Sequence, residues 1–254
     1  MRHRLLLGWM IVGTCSLVTQ VVAGDPPAAT TLPSTRPAAD RASLRKLLAQ
    51  LASDNFRVRD AARVALMGLE RSALPTLREA VKESLPLEPS QAVVLREIVT
   101  QVYLAGDAYQ KSDGGQGFLG VSLPSPGRVE DRGLLALGRG VAVVSRVPGF
   151  CAYRMLRNGD VLLSMTVGQT TVTFERTDDL MESVQAVPPG QTVTFEVLRQ
   201  GEIVRVPITL DPRPALPDNL GATDWLREFN NRRADEVEVY WSNDFAPLLG
   251  EQLG

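Results

Sequence analysis

The run Gly117-Phe118-Leu119-Gly120-Val121 constrains the fold more than any other stretch of the chain. An apolar pair bracketed by glycines and followed at once by strand-forming residues is a bend. Its glycines reach φ/ψ values closed to other residues and let a ligand approach the main chain. Successive unpaired amides in such a bend make a small anion-binding concavity. On the N-terminal side of this bend the apolar residues recur with a helical period; on the C-terminal side they come as short runs and alternations separated by glycine.

Those later segments are Gly140-Val141-Ala142-Val143-Val144, Val147-Pro148-Gly149, Leu156-Arg157-Asn158-Gly159-Asp160-Val161-Leu162, Thr177-Asp178-Asp179-Leu180, Pro189-Gly190-Gln191-Thr192-Val193 and Leu198-Arg199-Gln200-Gly201. In this order they resemble a PDZ domain, with the strand order of the bacterial type carried by high-temperature-requirement serine proteases. The resemblance covers about Gln116 to Asp211, a little under half the chain. It departs from the family at the exit of the short helix around Ala152 to Leu156, where one residue is missing.

PDZ domains bind extended peptides, most often C-terminal tails, by adding a strand to an open sheet edge. The resemblance therefore implies a carboxylate-binding loop at Gly117, Phe118, Leu119 and Gly120, whose four successive amides are expected to be exposed. It implies an edge strand from Val121 through Leu123 to about Pro124, and a groove wall on the helix starting near Asp178, with Leu180, Met181 and Val184. Which face of that helix lines the groove is not fixed by spacing, but apolar side chains predominate on it, so the expected ligands are protein C-termini or extended peptides with apolar terminal residues.

Composition limits the alternatives. Arg2 and Arg4 precede the apolar run Leu5 to Val18, and residues 1–23 read as a cleaved secretory leader. The run is shorter than the ~20 residues that span a bilayer, and an uncleaved anchor is the rival reading and the one route to a membrane. Loss of Arg2 and Arg4 takes the 27 basic residues to 25 against 29 acidic ones. A mildly acidic chain without a long basic run gives no reason to bind nucleic acid. The single histidine, His3, lies in the leader, so a mature form has no imidazole for a Ser-His-Asp triad or a histidine-ligated metal. Of the two cysteines only Cys151 remains, which excludes an intrachain disulfide. Its neighbours Phe150 and Ala152 mark it as a small buried hydrophobe, with a reactive thiol as the alternative. No metal and no cofactor is expected, and the protein is not read as an enzyme.

Residues 24–40, rich in Pro, Thr and Ala, are too poor in large apolar groups to fold and read as a disordered linker. From 41 to 109 about four short helices are expected: Leu44, Leu47, Leu48 and Leu51 on one face; Phe56, Val58, Ala61, Ala62, Ala65 and Leu66 on a second helix closed by Gly68; Ala73, Leu74, Leu77, Ala80 and Val81 on a third; then Val93, Val94, Ile98, Val99 and Val102. Leu51 to Val81 resembles a HEAT-type helical repeat, a unit that normally needs stacked neighbours to bury its faces. Such a lone module closes with flanking helices, docks on the PDZ-like part, or meets a second protein partner.

Within the PDZ-like part, Ser125 to Arg139 is expected as a flap beside the groove and Gly140 to Ser145 as one continuous buried strand. Asp160 reads as the brace of its turn, Thr177 as an N-cap, and Asp178 and Asp179 as charges complementing a helix N-terminus rather than an acid/base pair. Val193 to Leu198 and Ile203 to Leu210 pair across Gln200-Gly201. In the tail, 213–254, a helix with Trp225, Leu226 and Phe229 is followed by Glu236-Val237-Glu238-Val239-Tyr240-Trp241, which alternates as a strand.

The expected fold is thus α+β and multidomain: a short all-α HEAT-like module, then a PDZ-like partly open β-barrel or sandwich with two helices at 116–212, then the helix/strand extension. The implied function is a non-enzymatic peptide-binding adaptor, secreted or in the periplasm or cell envelope. An accessory subunit of an envelope protease, or a structural module with an occluded groove, are the alternatives.

Overall fold

A computed structural model describes residues 40–105, 109, 111–112, 114–123, 140–215 and 222–250, for 222–226 the backbone alone. The leader, the linker up to residue 39, the flap at Ser125–Arg139 and the side chains of Trp225 and Leu226 lie outside the described residues. The chain divides into two units, Met1–Arg36 and Pro37–Gly254. All described residues belong to the second, which is α+β.

Its first part is helical: α1 (Arg41–Gln50), α2 (Phe56–Met67), α3 (Leu74–Glu83) after a one-turn 3-10 segment, and α4 (Pro89–Ala105). Each start has a local cause. Asp40 accepts from Ser43 N at 2.8 Å and Asn55 from Arg57 N at 2.9 Å, satisfying amides that a helix start leaves unpaired. Pro75 sits in the first turn of α3, where no intrahelical N–H is required. Leu44, Leu48, Leu77, Val81, Leu95 and Ile98 form the core between these helices. Phe56, Ala61 and Ala65, expected on the buried face of α2, are exposed, and so is Val93 of α4. The Phe56 ring lies under the Arg157 guanidinium at 4.2 Å instead, a cation–π arrangement that tolerates water on one side.

The strand-rich part contributes β1 (Gly117–Phe118), β2 (Val121–Ser122), β3 (Val141–Ala142), β4 (Ser145–Arg146), α5 (Cys151–Met155), β5 (Val161–Val167), β6 (Thr170–Thr173), α6 (Thr177–Gln185), β7 (Thr192–Arg199), β8 (Glu202–Thr209) and β9 (Asp211–Pro212). All pairings are antiparallel: β3-β5-β7-β8 with β6 against β5, β1 with β9, and β2 with β4. Among the described residues the strands do not close into a barrel. Gln200 at φ 52° and Gly201 at φ 86° make the β7–β8 turn, whose twist suits a two-residue hairpin. The expected continuous strand from Gly140 to Ser145 is split into β3 and β4. Val143 N turns to Asp160 O and Val144 N to Ser122 O, both within 3.0 Å, so the chain changes pairing partners midway. Leu119, Leu162, Phe174, Leu180, Phe195 and Ile208 pack the second core.

The tail is not a helix followed by a strand. Ala222–Asp244 is one helix, α7, followed by the short α8 (Ala246–Leu249). The alternation at 236–241 spans only six residues, whereas Phe229, Arg233, Val237, Trp241, Phe245 and Leu249 recur every four and are all buried. The longer period wins because it gathers Phe229, Arg233, Val237 and Trp241 on one broad face of α7, and Phe245 and Leu249 carry the buried side on through α8. Trp241, Phe245 and Leu249 join the core of α1–α4, and Tyr240 stacks on Tyr103 at 4.7 Å. The short helical run therefore closes with a helix from the far end of the sequence.

That helical part also docks on the strand-rich part. Arg63 donates to Arg154 O and Arg154 to Val64 O, both at 3.1 Å. Gly68, at φ −89°, ends α2 without a left-handed turn; a Cβ there would lie 2.6 Å from the Arg154 guanidinium carbon. Asp60 pairs with Arg157 at 2.8 Å and with Arg63 at 3.1 Å. Burial pushes the Asp60 carboxyl up, but Arg63 and then Arg157 outweigh it and hold it below the usual carboxylate range. With the folded value below the unfolded one, Asp60's contribution is complete at neutral pH and is lost as pH falls through the folded value. Asp60→Asn is expected to cost about 1–3 kcal/mol at pH 7. In pH-dependent urea unfolding, its gap to the unmutated protein should close as pH drops below about 4.

Candidate functional site

The bend at 117–120, strand β2 and helix α6 enclose a cleft of about 150 Å³. Gly117, Phe118, Leu119, Gly120, Val121, Leu123, Leu180, Met181 and Val184, the full set named from the sequence, all line it. Gln185 and Arg213 line it as well and were not anticipated. Leu180 and Val184 belong to the second core and form the floor, while Met181 is exposed at the rim. This settles which face of α6 meets the cleft.

Two glycines of the bend are required where they stand. A Cβ on Gly117 would lie 2.6 Å from Val187 O and 2.9 Å from Val184 O, so glycine lets the bend rest on the end of α6. Gly120 has φ +75°, and a Cβ there would meet the Phe150 Cβ at 2.4 Å. The apolar pair between them anchors the bend through its side chains. Leu119 is buried in the second core. The Phe118 ring packs edge-on against Phe150 at 4.9 Å.

The expectation of four successive free amides holds for only two. Gly117 N donates to Val187 O at 2.8 Å, and Phe118 is held in the β1–β9 ladder opposite Asp211. The physical reason is that the first half of the bend has to be tied to α6 and to β9 before the second half can turn. Leu119 and Gly120 make no hydrogen bond through their N–H groups among the described residues, while both carbonyls are taken, by Ala152 N at 3.1 Å and Val147 N at 2.8 Å. Beyond them β2 pairs with β4 on one side, and on the other no described strand pairs with it. The strand is shorter than expected, Val121–Ser122, with Pro124 outside the described residues.

Among the described residues Arg213 is the only charged one lining the cleft. Its Nη1 donates to Gln116 Oε1 at 2.9 Å, and among the described residues it has no acidic partner within ion-pair distance. It was invisible in the sequence because its place follows from the β1–β9 pairing of segments almost a hundred residues apart.

Behind the bend sits Cys151. Its backbone N–H donates to the Asp211 carboxylate, and its Sγ lies 3.5 Å from both Phe118 O and Leu119 O. Burial, and then the Asp211 charge, push the thiol well up; burial also raises the Asp211 carboxyl, against the Cys151 N–H. Tyr109, which donates to Pro212 O at 2.8 Å, is pushed up to about 12 by burial and next by Asp211. A thiol so far from its thiolate is a poor nucleophile. The acidic pair is likewise accounted for locally. Asp179 accepts from Glu175 N and Arg176 N at 2.9 and 2.8 Å, which lower its carboxyl. Arg176, not Thr177, is the N-cap. Asp160 accepts from Arg157 N at 2.8 Å and pairs with Arg199 at 2.7 Å, bracing its turn. Among the described residues no three His, Cys, Asp or Glu side chains gather as metal ligands, and no helix is long and apolar enough to cross a membrane.

Solved structures similar to this chain include HtrA-type proteases. A single-residue variant of the HtrA-type protease AlgW with a decapeptide is 25% identical over 51% of this chain and 36% of that one, at TM-score 0.35. AlgW with a tripeptide is 28% identical over 41% of this chain and 34% of that one, at TM-score 0.34. The serine endoprotease from Yersinia pestis is 21% identical over 38% and 29%, at TM-score 0.29. The chain thus spans about a third of the length of these proteases. No family model matches the sequence, and no curated protein does.

Proposed function

We propose that the cleft binds the C-terminal end of an extended polypeptide by strand addition, in a PDZ-like unit spanning about residues 116–212. The observation that carries this is the conjunction, at one end of an apolar cleft, of two N–H donors on Leu119 and Gly120 with the Arg213 guanidinium. Beside them runs the open edge of β2. An incoming chain would pair its backbone with Val121 to Leu123 and lay its terminal apolar side chain on Leu180 and Val184. Its carboxylate would take the two amides and Arg213. Charge-assisted hydrogen bonds of this kind are the strong ones.

In this reading the protein is a non-enzymatic adaptor. Cys151 is packing for the back of the bend, and Asp178 and Asp179 belong to the start of α6. The helices of 41–109, HEAT-like and completed by α7, hold the groove rather than stack into a solenoid. Residues 1–23 as a leader and 24–40 as a spacer place it in the envelope or outside the cell.

A decapeptide with an apolar last residue is expected to bind at about micromolar Kd, because ordering an extended ligand offsets much of the contact energy. Its C-terminal amide should bind about 10–100-fold more weakly, the equivalent of one or two charged hydrogen bonds at roughly 1.5–3 kcal/mol. Arg213→Gln should narrow that gap while leaving the amide's affinity unchanged. Calorimetric titration of both peptides against both proteins decides it; equal affinity for acid and amide in the unmutated protein sinks the carboxylate reading.

A further inference from the structure

The groove's two available donors are held in place from behind. A trans peptide plane points its C=O and N–H in opposite directions. Gripping the carbonyl of Leu119 therefore aims the N–H of Gly120, and gripping the carbonyl of Phe118 aims the N–H of Leu119. Ala152 N donates to Leu119 O at 3.1 Å, and Cys151 Sγ sits 3.5 Å from Phe118 O. Phe150 fills the space under Gly120 and meets the ring of Phe118. The segment 150–152 is thus the back plate of the bend.

Two side chains of the helical part grip that plate and the turn leading into it: Arg233 of α7, which donates to Pro148 O at 3.0 Å and to Leu104 O at 2.9 Å, and Gln101 of α4, the one that bonds Gly149 and Phe150 themselves. Gln101 of α4 is 3% exposed. Its Oε1 accepts from Gly149 N at 2.7 Å, and its Nε2 donates to Phe150 O at 3.3 Å. A buried carboxamide that uses both ends on consecutive residues of another segment fixes that segment in position and rotation. Its loss would leave the part-buried Gly149 N–H without a partner and Phe150 O with only the Tyr153 N–H at 3.1 Å, which costs enough to make the turn move.

We propose that Gln101 is a positioning residue for the groove: through Gly149 and Phe150 it sets the direction of the Leu119 and Gly120 N–H groups, so ligand affinity depends on a side chain that does not line the cleft. This rests on the peptide-end reading above. It makes the helical part a component of recognition rather than an appendage. Anything that shifts α4 changes the affinity of the groove.

Gln91 supplies the matched control. It is the other buried glutamine of α4, and it bonds only within the helical part, accepting from Glu88 N and donating to Leu48 O, both at 2.9 Å. Gln101→Met and Gln91→Met remove a comparable pair of hydrogen bonds and keep side-chain volume. Both are expected to lower the unfolding midpoint. Only Gln101→Met should weaken binding of a free-acid decapeptide with a C-terminal valine, by about tenfold. Only Gln101→Met should shift the Leu119 and Gly120 amide resonances of the peptide-free protein. Unmoved resonances in Gln101→Met, or equal loss of affinity in Gln91→Met, overturn the proposal. If the unmutated protein binds no peptide, the peptide-end reading falls, and the amide resonances alone decide the role of Gln101.

Discussion

Gly120→Ala is expected to remove peptide binding and to cost about 2–5 kcal/mol of stability. Two independent penalties add at this position. The residue sits at φ +75°, a left-handed conformation that costs a side chain roughly 1–2 kcal/mol. The new methyl would also arrive 2.4 Å from the Phe150 Cβ, and Phe150 is not free to retreat, being 1% exposed and tied to Gln101 through its carbonyl. Overpacking of this kind adds about 1–3 kcal/mol. Relief can come only by moving the bend, which swings the Leu119 and Gly120 donors out of line. Gly159→Ala separates the two terms, because Gly159 has φ +85° but open space around its Cβ position. It should show the conformational cost alone and bind peptide normally. Denaturant unfolding and peptide titration of the pair make the comparison; Gly120→Ala behaving like Gly159→Ala on both counts would falsify the packed-bend account.

Much of this site was legible in the sequence because its parts are local. A glycine-bracketed bend, the strand after it and an amphipathic helix each announce themselves within ten residues, and the residues that the resemblance implied for the groove line one cleft. The helical part was legible for the same reason: Leu44 and Leu48, or Leu74, Leu77 and Val81, are buried at helical spacing. What the sequence concealed depends on pairings between distant segments. Arg213 reaches the cleft only because β9 pairs with β1. Gly117 loses its amide to Val187 only because the end of α6 comes back to the bend. Gln101 looks like one more polar residue on a helix until Gly149 is placed against it. Local competition accounts for the remaining differences. The Asp179 carboxylate takes the Glu175 and Arg176 amides, starting α6 before Thr177 could cap it.

The reading of the tail has the most direct test. Trp241→Ala is expected to destabilise the protein by about 3–5 kcal/mol, the usual loss for a large aromatic removed from a core. Trp241 is 4% exposed, lies nearly parallel to Phe245 at 5.8 Å, and packs into the core built by α1–α4. Removing it opens the seam by which a short run of helices, unable to bury its own faces, is closed by α7. The neighbouring valines distinguish helix from strand. In a strand Val237, Val239 and Trp241 share one face, whereas in a helix Val237 and Trp241 share a face and Val239 points away. Val239 is 62% exposed and Val237 only 7%. Val239→Ala should therefore change the unfolding free energy from urea titration by no more than about 0.5 kcal/mol, while Val237→Ala costs several times as much. A large loss at Val239, comparable to that at Val237, is the result that a strand packed by its alternating face would produce, and it would remove the closing helix from the account of how this fold holds together.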